Sequence, residues 1–304
     1  MYNILLTGGS GFFGNYLKKE LSKAGNVTTI GITDKDDIYV DLSKDIPDLK
    51  KKYDLVVHAA GKAHIVPKTE QEEKAFYSVN FQGTINLLKA LDKTGRVPGR
   101  FVFISTVSVY GLEKGDKIKE SVPLKATEPY GKSKIMAEQV LANWGDENGV
   151  KITILRLPLL IGRNAPGNLG AMTAAVKKGR FAVIGKGDAK RSMVFAGDVA
   201  AFIPDISSVG GVYNLTDGYS PSYKELADAI RKKTGSPSIK VIPYALASLM
   251  AKAGDLIQLI IGRDVPFNSR RLMKMTSSLT MDDSKARDKG WNPHNVIDIV
   301  DEWL

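Results

Sequence analysis

The sequence predicts an α/β fold on a mostly parallel, doubly wound sheet, followed by a smaller C-terminal portion. Three observations predict it. Short apolar runs alternate with longer stretches of 3.6-residue periodicity through the first half, the pattern of strand–helix–strand units. Two runs, Asp54-Leu-Val-Val-His58 and Phe101-Val-Phe-Ile104, are almost continuously apolar, as strands covered on both faces must be. Beyond about residue 162 the pattern loosens into glycine-rich loops, short strands and helices.

Taken in order, strands are predicted at residues 2–7, 27–32, 55–59, 101–105 and 152–157. Helices fall between them at 12–24, at 70–91 in one or two pieces, and at 130–148. The loops at 8–11 and 106–111 then lie at the carboxyl edge of the sheet, where open α/β folds bind ligands. In the second half, helices are expected at 222–233 and 296–303, and residues 195–215 are expected to return to the main sheet. The division is therefore 1–162 and 163–304, with no internal repeat and no long linker.

Composition narrows the chemistry. The chain has 304 residues, 43% hydrophobic and 25% charged, and no cysteine. Disulfides, thiolate nucleophiles, Cys-bound zinc and iron–sulfur clusters are excluded, and a reduced cytoplasmic location is expected. With three histidines, no metal site is expected either. The net charge of +10 comes from scattered lysines; it reads as a solvated coat, and without a basic–aromatic motif no nucleic-acid partner is expected. The N-terminus enters the first strand with no targeting pattern, so the mature chain is expected to start near Met1. The most apolar later region, 242–262, is interrupted by Lys252 and Asp255. It is too broken for an integral membrane segment and reads as an amphipathic helix packed on the protein, a peripheral membrane contact being the alternative.

Three motifs carry chemistry. Thr7-Gly-Gly-Ser-Gly-Phe-Phe-Gly14 stands between a strand and a helix. Gly8 permits the tight turn, Gly11 lets a pyrophosphate approach the backbone, and Gly14 permits close helix–strand contact, with the helix N-terminus facing the phosphates. Tyr130-Gly-Lys-Ser-Lys134 places a phenol and an ammonium four residues apart on one helix face; the cation favours the phenolate and suits Tyr130 to general-base work. Phe103-Ile-Ser-Thr-Val-Ser-Val-Tyr-Gly111 leaves its strand with hydroxyls at the same edge, where Thr106 or Ser105 can hydrogen-bond the oxygen on which Tyr130 acts.

On these motifs the chain resembles the extended short-chain dehydrogenase/reductases, in their NAD-dependent sugar epimerase/dehydratase branch, over nearly its full length. The resemblance implies a Rossmann-type fold, a homodimer through the 70–91 and 130–148 helices, and a nucleotide-sugar substrate, most simply a UDP-sugar. It implies Tyr130 as general acid/base, Lys134 holding the nicotinamide ribose and tuning Tyr130, and Thr106 orienting the sugar oxygen. For the cofactor it further implies Phe12 and Phe13 in the glycine loop, Asp41-Leu42 at the adenine, Ala59-Ala60-Gly61 over the phosphates and ribose, Asn80 in the central helix, and Pro158. For the substrate it implies Asn168-Leu169, Ala182-Val183 and Arg191, whose guanidinium suits a diphosphate. His64 follows the cofactor turn and is a further substrate candidate, as is Ser105; His58 reads as a satisfied core group.

The departures are informative. Sugar 4,6-dehydratases of this branch carry an Asp-Glu pair just after the catalytic threonine; here Val107 and Ser108 stand there, and neither is an acid or base at neutral pH. The acidic residue expected at the end of the second strand, for the ribose 2′-hydroxyl, is replaced by Gly31. Asp34 reaches if the loop folds back, while Thr33 and Lys35 would accept a 2′-phosphate. NAD is preferred and NADP stays open. Leu159 stands where many relatives place an asparagine against the substrate. The expected activity is C4 epimerisation of a UDP-hexose or UDP-acetamidohexose; the alternatives are a 4-ketosugar reductase and, from another class, a cofactor-sensing protein without chemistry.

Overall fold

The computed structural model of the chain describes residues 2–63, 65–261, 265 and 267–304. The first half runs β1 (Tyr2–Thr7), α1 (Phe12–Ala24), β2 (Gly25–Gly31), β3 (Ile38–Tyr39), β4 (Leu55–His58), α2 (Glu70–Phe76), α3 (Gly83–Lys93), β5 (Arg100–Thr106), β6 (Gly115–Ile118), α4 (Pro129–Asn148) and β7 (Lys151–Leu157). The second half runs β8 (Leu159–Ile161), α5 (Gly167–Lys177), β9 (Ala182–Ile184), β10 (Met193–Phe195), α6 (Ala196–Ile206), β11 (Gly211–Asn214), α7 (Tyr223–Thr234), β12 (Lys240–Ile242), α8 (Tyr244–Ile261), α9 (Ser269–Thr276), β13 (Leu279–Met281), α10 (Ser284–Arg287) and α11 (Val300–Trp303).

Seven strands form one parallel sheet in the order β11-β7-β5-β4-β1-β2-β3. The chain winds outward from β1 to β3, then restarts beside β1 with β4, so the switch point lies between β1 and β4. Helices cover both faces. Ile4, Leu6 and Val57 pack with Leu17 and Leu21 of α1 and with Val199 and Ile203 of α6. Leu5, Val56 and Phe101 point the other way, onto Leu87 and Leu91 of α3 and Ala137 and Leu141 of α4. Successive residues of a strand face opposite layers, which is why these strands read as unbroken apolar runs. β11 joins the sheet beside β7, and α6 lies in the layer of α1, so this part of the second half does return to the main sheet. Three short parallel pairs, β8 with β10, β9 with β12 and β6 with β13, build the rest.

Local chemistry explains the boundaries. Ser222 and Glu225 close a reciprocal capping box at the start of α7, and Gly235 ends it in the left-handed region. The 70–91 helix is interrupted by a π-helical turn, Tyr77–Gln82, between α2 and α3. Two expectations are met only in part. The 296–303 helix is reduced to α11, because the Asn295 side chain takes the Ile297 N–H at 3.0 Å and makes a turn there. The apolar 242–262 segment is helical as α8, yet its buried positions are only Ala247, Ala251 and Gly254. Most of its large side chains are exposed rather than packed.

Candidate functional site

The glycine loop and the Ala59–Gly61 turn meet at the switch point. Gly8 adopts φ +74°, and a Cβ on it would stand 2.8 Å from the Ala60 nitrogen. Gly14 lies so close to the loop that a Cβ would reach 2.0 Å from the Gly8 carbonyl. The cap residue of α1, Gly11, offers no side chain to the helix. The first N–H groups of α1, those of Phe12 and Phe13 included, have no intrahelical acceptor and suit an anion. The Phe12 ring packs on Tyr16 at 5.8 Å and Phe13 packs on the core, so these residues offer backbone rather than rings.

A chain of hydrogen bonds wires this cradle to the central helix. Ala60 N donates to Thr7 Oγ1 at 3.1 Å, and Thr7 Oγ1 pairs with His58 Nδ1 at 2.6 Å. His58 Nε2 pairs with Thr84 Oγ1 at 3.0 Å, and Thr84 gives its only hydroxyl proton to the Asn80 carbonyl at 2.7 Å. His58 must therefore donate from Nε2 and accept at Nδ1. Burial first, and the Lys134 charge second, pull its pKa down to about 3, so it is a neutral structural group. Asn80 sits in the π-helical turn, a geometry frequent at functional sites. Its Oδ1 accepts from Lys62 N at 2.7 Å, while Nδ2 donates to Lys62 O at 3.1 Å and to Ser133 Oγ at 3.0 Å. The amide thus clamps the turn after Gly61 onto α4; it positions the cradle and is itself fully engaged.

At the pair expected to meet the adenine, Asp41 accepts from Ser43 N and Oγ at 3.0 and 2.7 Å, and buried Leu42 gives its carbonyl to Asn86 at 2.8 Å. At the end of β2 a carboxylate does stand beside Gly31, from a residue with no signal in the sequence. Asp36, not Asp34, folds back onto Gly31: its Oδ2 would lie 2.2 Å from a Cβ there. That oxygen accepts from Thr33 N at 3.3 Å and Thr33 Oγ1 at 2.8 Å, while Oδ1 is buried without a partner. A free acceptor at this position suits a ribose hydroxyl, and with the glycine cradle and the open helix end the residues fit a dinucleotide.

Tyr130 is the second residue of α4, after Pro129, where the positive end of the helix dipole favours a phenolate. Its ring lies 6.1 Å from that of Phe76. Burial pushes the phenol above its ordinary range, and the neighbouring Thr106 hydroxyl opposes the rise; that hydroxyl donates to Ser108 Oγ at 3.2 Å. Thr106 ends β5 and caps the following 3₁₀ turn, accepting Ser108 N at 3.1 Å. Lys134, only 4% exposed, donates to the Ile104 carbonyl at 2.8 Å and lies 4.4 Å from the Phe103 ring centre. It also stands 3.3 Å from where a Cβ on Gly61 would be. The Thr106 hydroxyl opposes the effect of burial on Tyr130, and the Lys134 ammonium lies against the Gly61 turn. Burial pulls Lys134 down to about 8, with the Glu138 carboxylate offsetting part of the fall.

Glu138 is a second residue missed in the sequence, although Tyr130, Lys134 and Glu138 repeat every four positions along α4. It is buried and holds Arg156 through Nη2 at 2.7 Å and Nε at 3.2 and 3.3 Å. Arg156 reaches Tyr110 Oη at 3.2 Å, which donates to Asn214 Oδ1 at 2.7 Å. Ser105 also donates to Glu138. This corrects its assignment to the substrate: neighbouring strand residues face opposite ways, and Ser105 points into the buried network beneath the site.

Further corrections concern the second half. The Leu169 side chain belongs to the core of α5, and that of Val183 is buried on β9; neither is available to a ligand. Ala182 and Pro158 are partly buried, and Asn168 is exposed in the first turn of α5. Arg191 is partly buried, donates through Nη2 to the Lys274 carbonyl, and leaves a buried Nε without a partner, an orphaned donor that suits an anion. His64 lies outside the described residues.

Residues 4–208 match the model of the NAD dependent epimerase/dehydratase family. The chain belongs to that family. It is an enzyme fold that binds NAD(P), and several of its relatives are named as sugar epimerases or a sugar reductase. The chain is 27% identical to the N-acetyl-alpha-D-glucosaminyl-diphospho-ditrans,octacis-undecaprenol 4-epimerase of Escherichia coli O157:H7, over 99% of its length and 94% of that protein. It is 28% identical to the GDP-6-deoxy-D-mannose reductase of Pseudomonas aeruginosa, over 75% of its length and 78% of that protein. The structure of the UDP-Glc/GlcNAc 4-epimerase from Campylobacter jejuni superimposes with a TM-score of 0.74 at 22% identity, covering 99% of this chain and 97% of the other, a likeness of fold.

Proposed function

We propose that the protein interconverts the C4 epimers of a diphosphate-linked hexose or acetamidohexose, a UDP-sugar in the first instance, with tightly held NAD. The observation that carries this reading is the dinucleotide cradle at the switch point with Lys134 of α4 against its Gly61 turn, Tyr130 one helical turn before it and the Thr106 hydroxyl beside the phenol. When bound, NAD supplies a hydride acceptor and a positive charge. Tyr130 takes the proton of the sugar's 4-hydroxyl as carbon 4 loses hydride, and returns it when the resulting ketone is reduced on its other face. Thr106 orients the oxygen, and Lys134 keeps N–H donors free for ribose hydroxyls after serving Ile104. Val107 and Ser108, in place of an acid–base pair, speak against dehydration. Asp36 favours NAD over NADP, because a carboxylate accepts a 2′-hydroxyl and repels a 2′-phosphate. Arg191 is assigned to the diphosphate. The name of the Escherichia coli relative supports a polyprenyl diphosphate as a second carrier of the same sugar.

The Pseudomonas aeruginosa relative keeps a 4-ketosugar reductase as the second reading, since the same three residues serve both. The cofactor separates them: an epimerase recycles it and a reductase exchanges it. Purified protein incubated with UDP-hexoses and UDP-acetamidohexoses, no cofactor added, is expected to equilibrate the C4 epimers. Turnover seen only with reduced cofactor and a 4-ketosugar would replace the epimerase with the reductase.

A further inference from the structure

Helix α8 is built inside out for a core helix. Its buried positions are Ala247, Ala251 and Gly254, spaced so that the smallest side chains share the face toward the protein. The contact is close: a Cβ on Gly254 would come within 2.0 Å of the Phe267 carbonyl. The bulk points outward, with Leu259 81%, Ile260 75%, Leu249 67% and Leu256 58% exposed, and on the neighbouring α9 Met273 and Met275 are exposed as well. Among the described residues α8 is the one helix long and apolar enough to cross a membrane. It is nevertheless tied down along the protein. The Asp255 carboxylate accepts from Ser269 N at 3.0 Å and Ser269 Oγ at 2.5 Å, and Asn268 Nδ2 donates to Gln258 Oε1 at 3.0 Å. Spanning a bilayer would break these bonds; lying flat on one keeps them.

We propose that α8 docks the protein on the surface of a bilayer containing anionic lipids. At about 1.5 Å per residue the helix presents a strip some 27 Å long, and an apolar strip of this kind sinks to the headgroup–acyl boundary. Charge selects this occupant. Residues 240–276 carry six Lys and Arg against two Asp, within a chain of net charge +10; Glu113 and Glu128 pair with Arg270 and Lys274, and the positive excess that remains attracts anionic headgroups. A second copy seated on the same face would set this cationic segment against itself. The strip also adjoins the site described above: Ala247 and Ala251 share a cluster with Ile184 of β9 and Leu272 of α9, and Arg191 donates to the Lys274 carbonyl of α9. Docking there would hold the diphosphate side of the site at the membrane, a consequence that rests on the proposed function; the docking itself does not.

The test uses the full chain and vesicles of phosphatidylcholine with or without phosphatidylglycerol. The parent is expected to co-sediment with the anionic vesicles, less so as salt rises. The Leu249→Glu/Ile260→Glu variant is expected to lose about ten-fold or more of that affinity, with unchanged dinucleotide content. A Leu256→Trp variant should show blue-shifted emission on adding the vesicles. A parent that stays in the supernatant, a double variant that binds equally, or a self-association abolished by the double variant without vesicle binding would each overturn the docking. Vesicle binding by a protein that turns over no sugar diphosphate would overturn the proposed function and leave the docking standing.

Discussion

The Glu138→Ala variant probes the network beneath the site. Glu138 and Arg156 are about 5% exposed at their side chains, and removing the carboxylate takes three hydrogen bonds from the guanidinium. What remains is Tyr110 Oη at 3.2 Å and the Glu120 carbonyl at 3.3 Å. Stranding one partner of a buried pair costs about 3–5 kcal/mol. With an unfolding entropy of about 2.1 cal/mol/K per residue, a chain of 304 residues loses about 1.6 °C for each kcal/mol, so the melting temperature should fall by about 5–8 °C if unfolding is cooperative. Glu138→Ala/Arg156→Met, which removes both charges, should recover most of that loss, because well-packed apolar replacements of buried pairs are often neutral. Scanning calorimetry reads both. A single variant that melts within about 1 °C of the parent, or a double variant that falls as far as the single, would refute the reasoning.

Tyr130→Phe should lower kcat by about 10²–10⁴ while leaving the bound dinucleotide and the melting temperature nearly unchanged; full turnover in steady-state assays would contradict the role given to the phenol. Lys134→Met should abolish turnover yet stabilise the fold at neutral pH. Burial lowers the folded pKa from 10.5 to about 8, a penalty of roughly 3 kcal/mol below pH 8 before the lost Ile104 contact is counted. Between about 8 and 10.5 the unfolded chain binds the extra proton, so parent stability should rise with pH across that window and the variant's should not; denaturant titrations at several pH values check this. Asp36→Ala should weaken NAD about 10–100-fold, the worth of a hydrogen bond to a charged group, and narrow its advantage over NADP. Calorimetric titration measures both, and equal NAD affinity in the variant would remove Asp36 from the ribose.

Much of the architecture was legible in sequence because burial on both faces leaves a plain mark. The strands placed at 55–59 and 101–105 fall on β4 and β5 to within a residue, and the glycines at 8, 11 and 14 fall in the cradle. The Tyr130–Lys134 pair was legible because a helix repeats every 3.6 residues. Asp36 was not, since it reaches Gly31 only through the loop held by Thr33, and loop closure has no spacing rule. Ser105 was misassigned for a related reason: at a strand's end two adjacent hydroxyls look equivalent in sequence, and only the pleat sends one to Glu138. Leu169 and Val183 sit beside candidate ligand positions but face the core. In α8 the apolar pattern identified a helix, whereas the face it turned to the protein was marked only by the small residues at 247, 251 and 254.

The most direct test of the central claim follows the hydrogen on carbon 4. A UDP-acetamidohexose or UDP-hexose deuterated at C4, incubated with the purified protein in ordinary water without added cofactor, should yield the C4 epimer with its deuterium retained, as NMR will show. Retention is expected because hydride leaves for the bound dinucleotide and returns to the same carbon, while Tyr130 exchanges only the hydroxyl proton. Loss of the label to solvent would mean that the carbon is deprotonated instead, and would contradict the account.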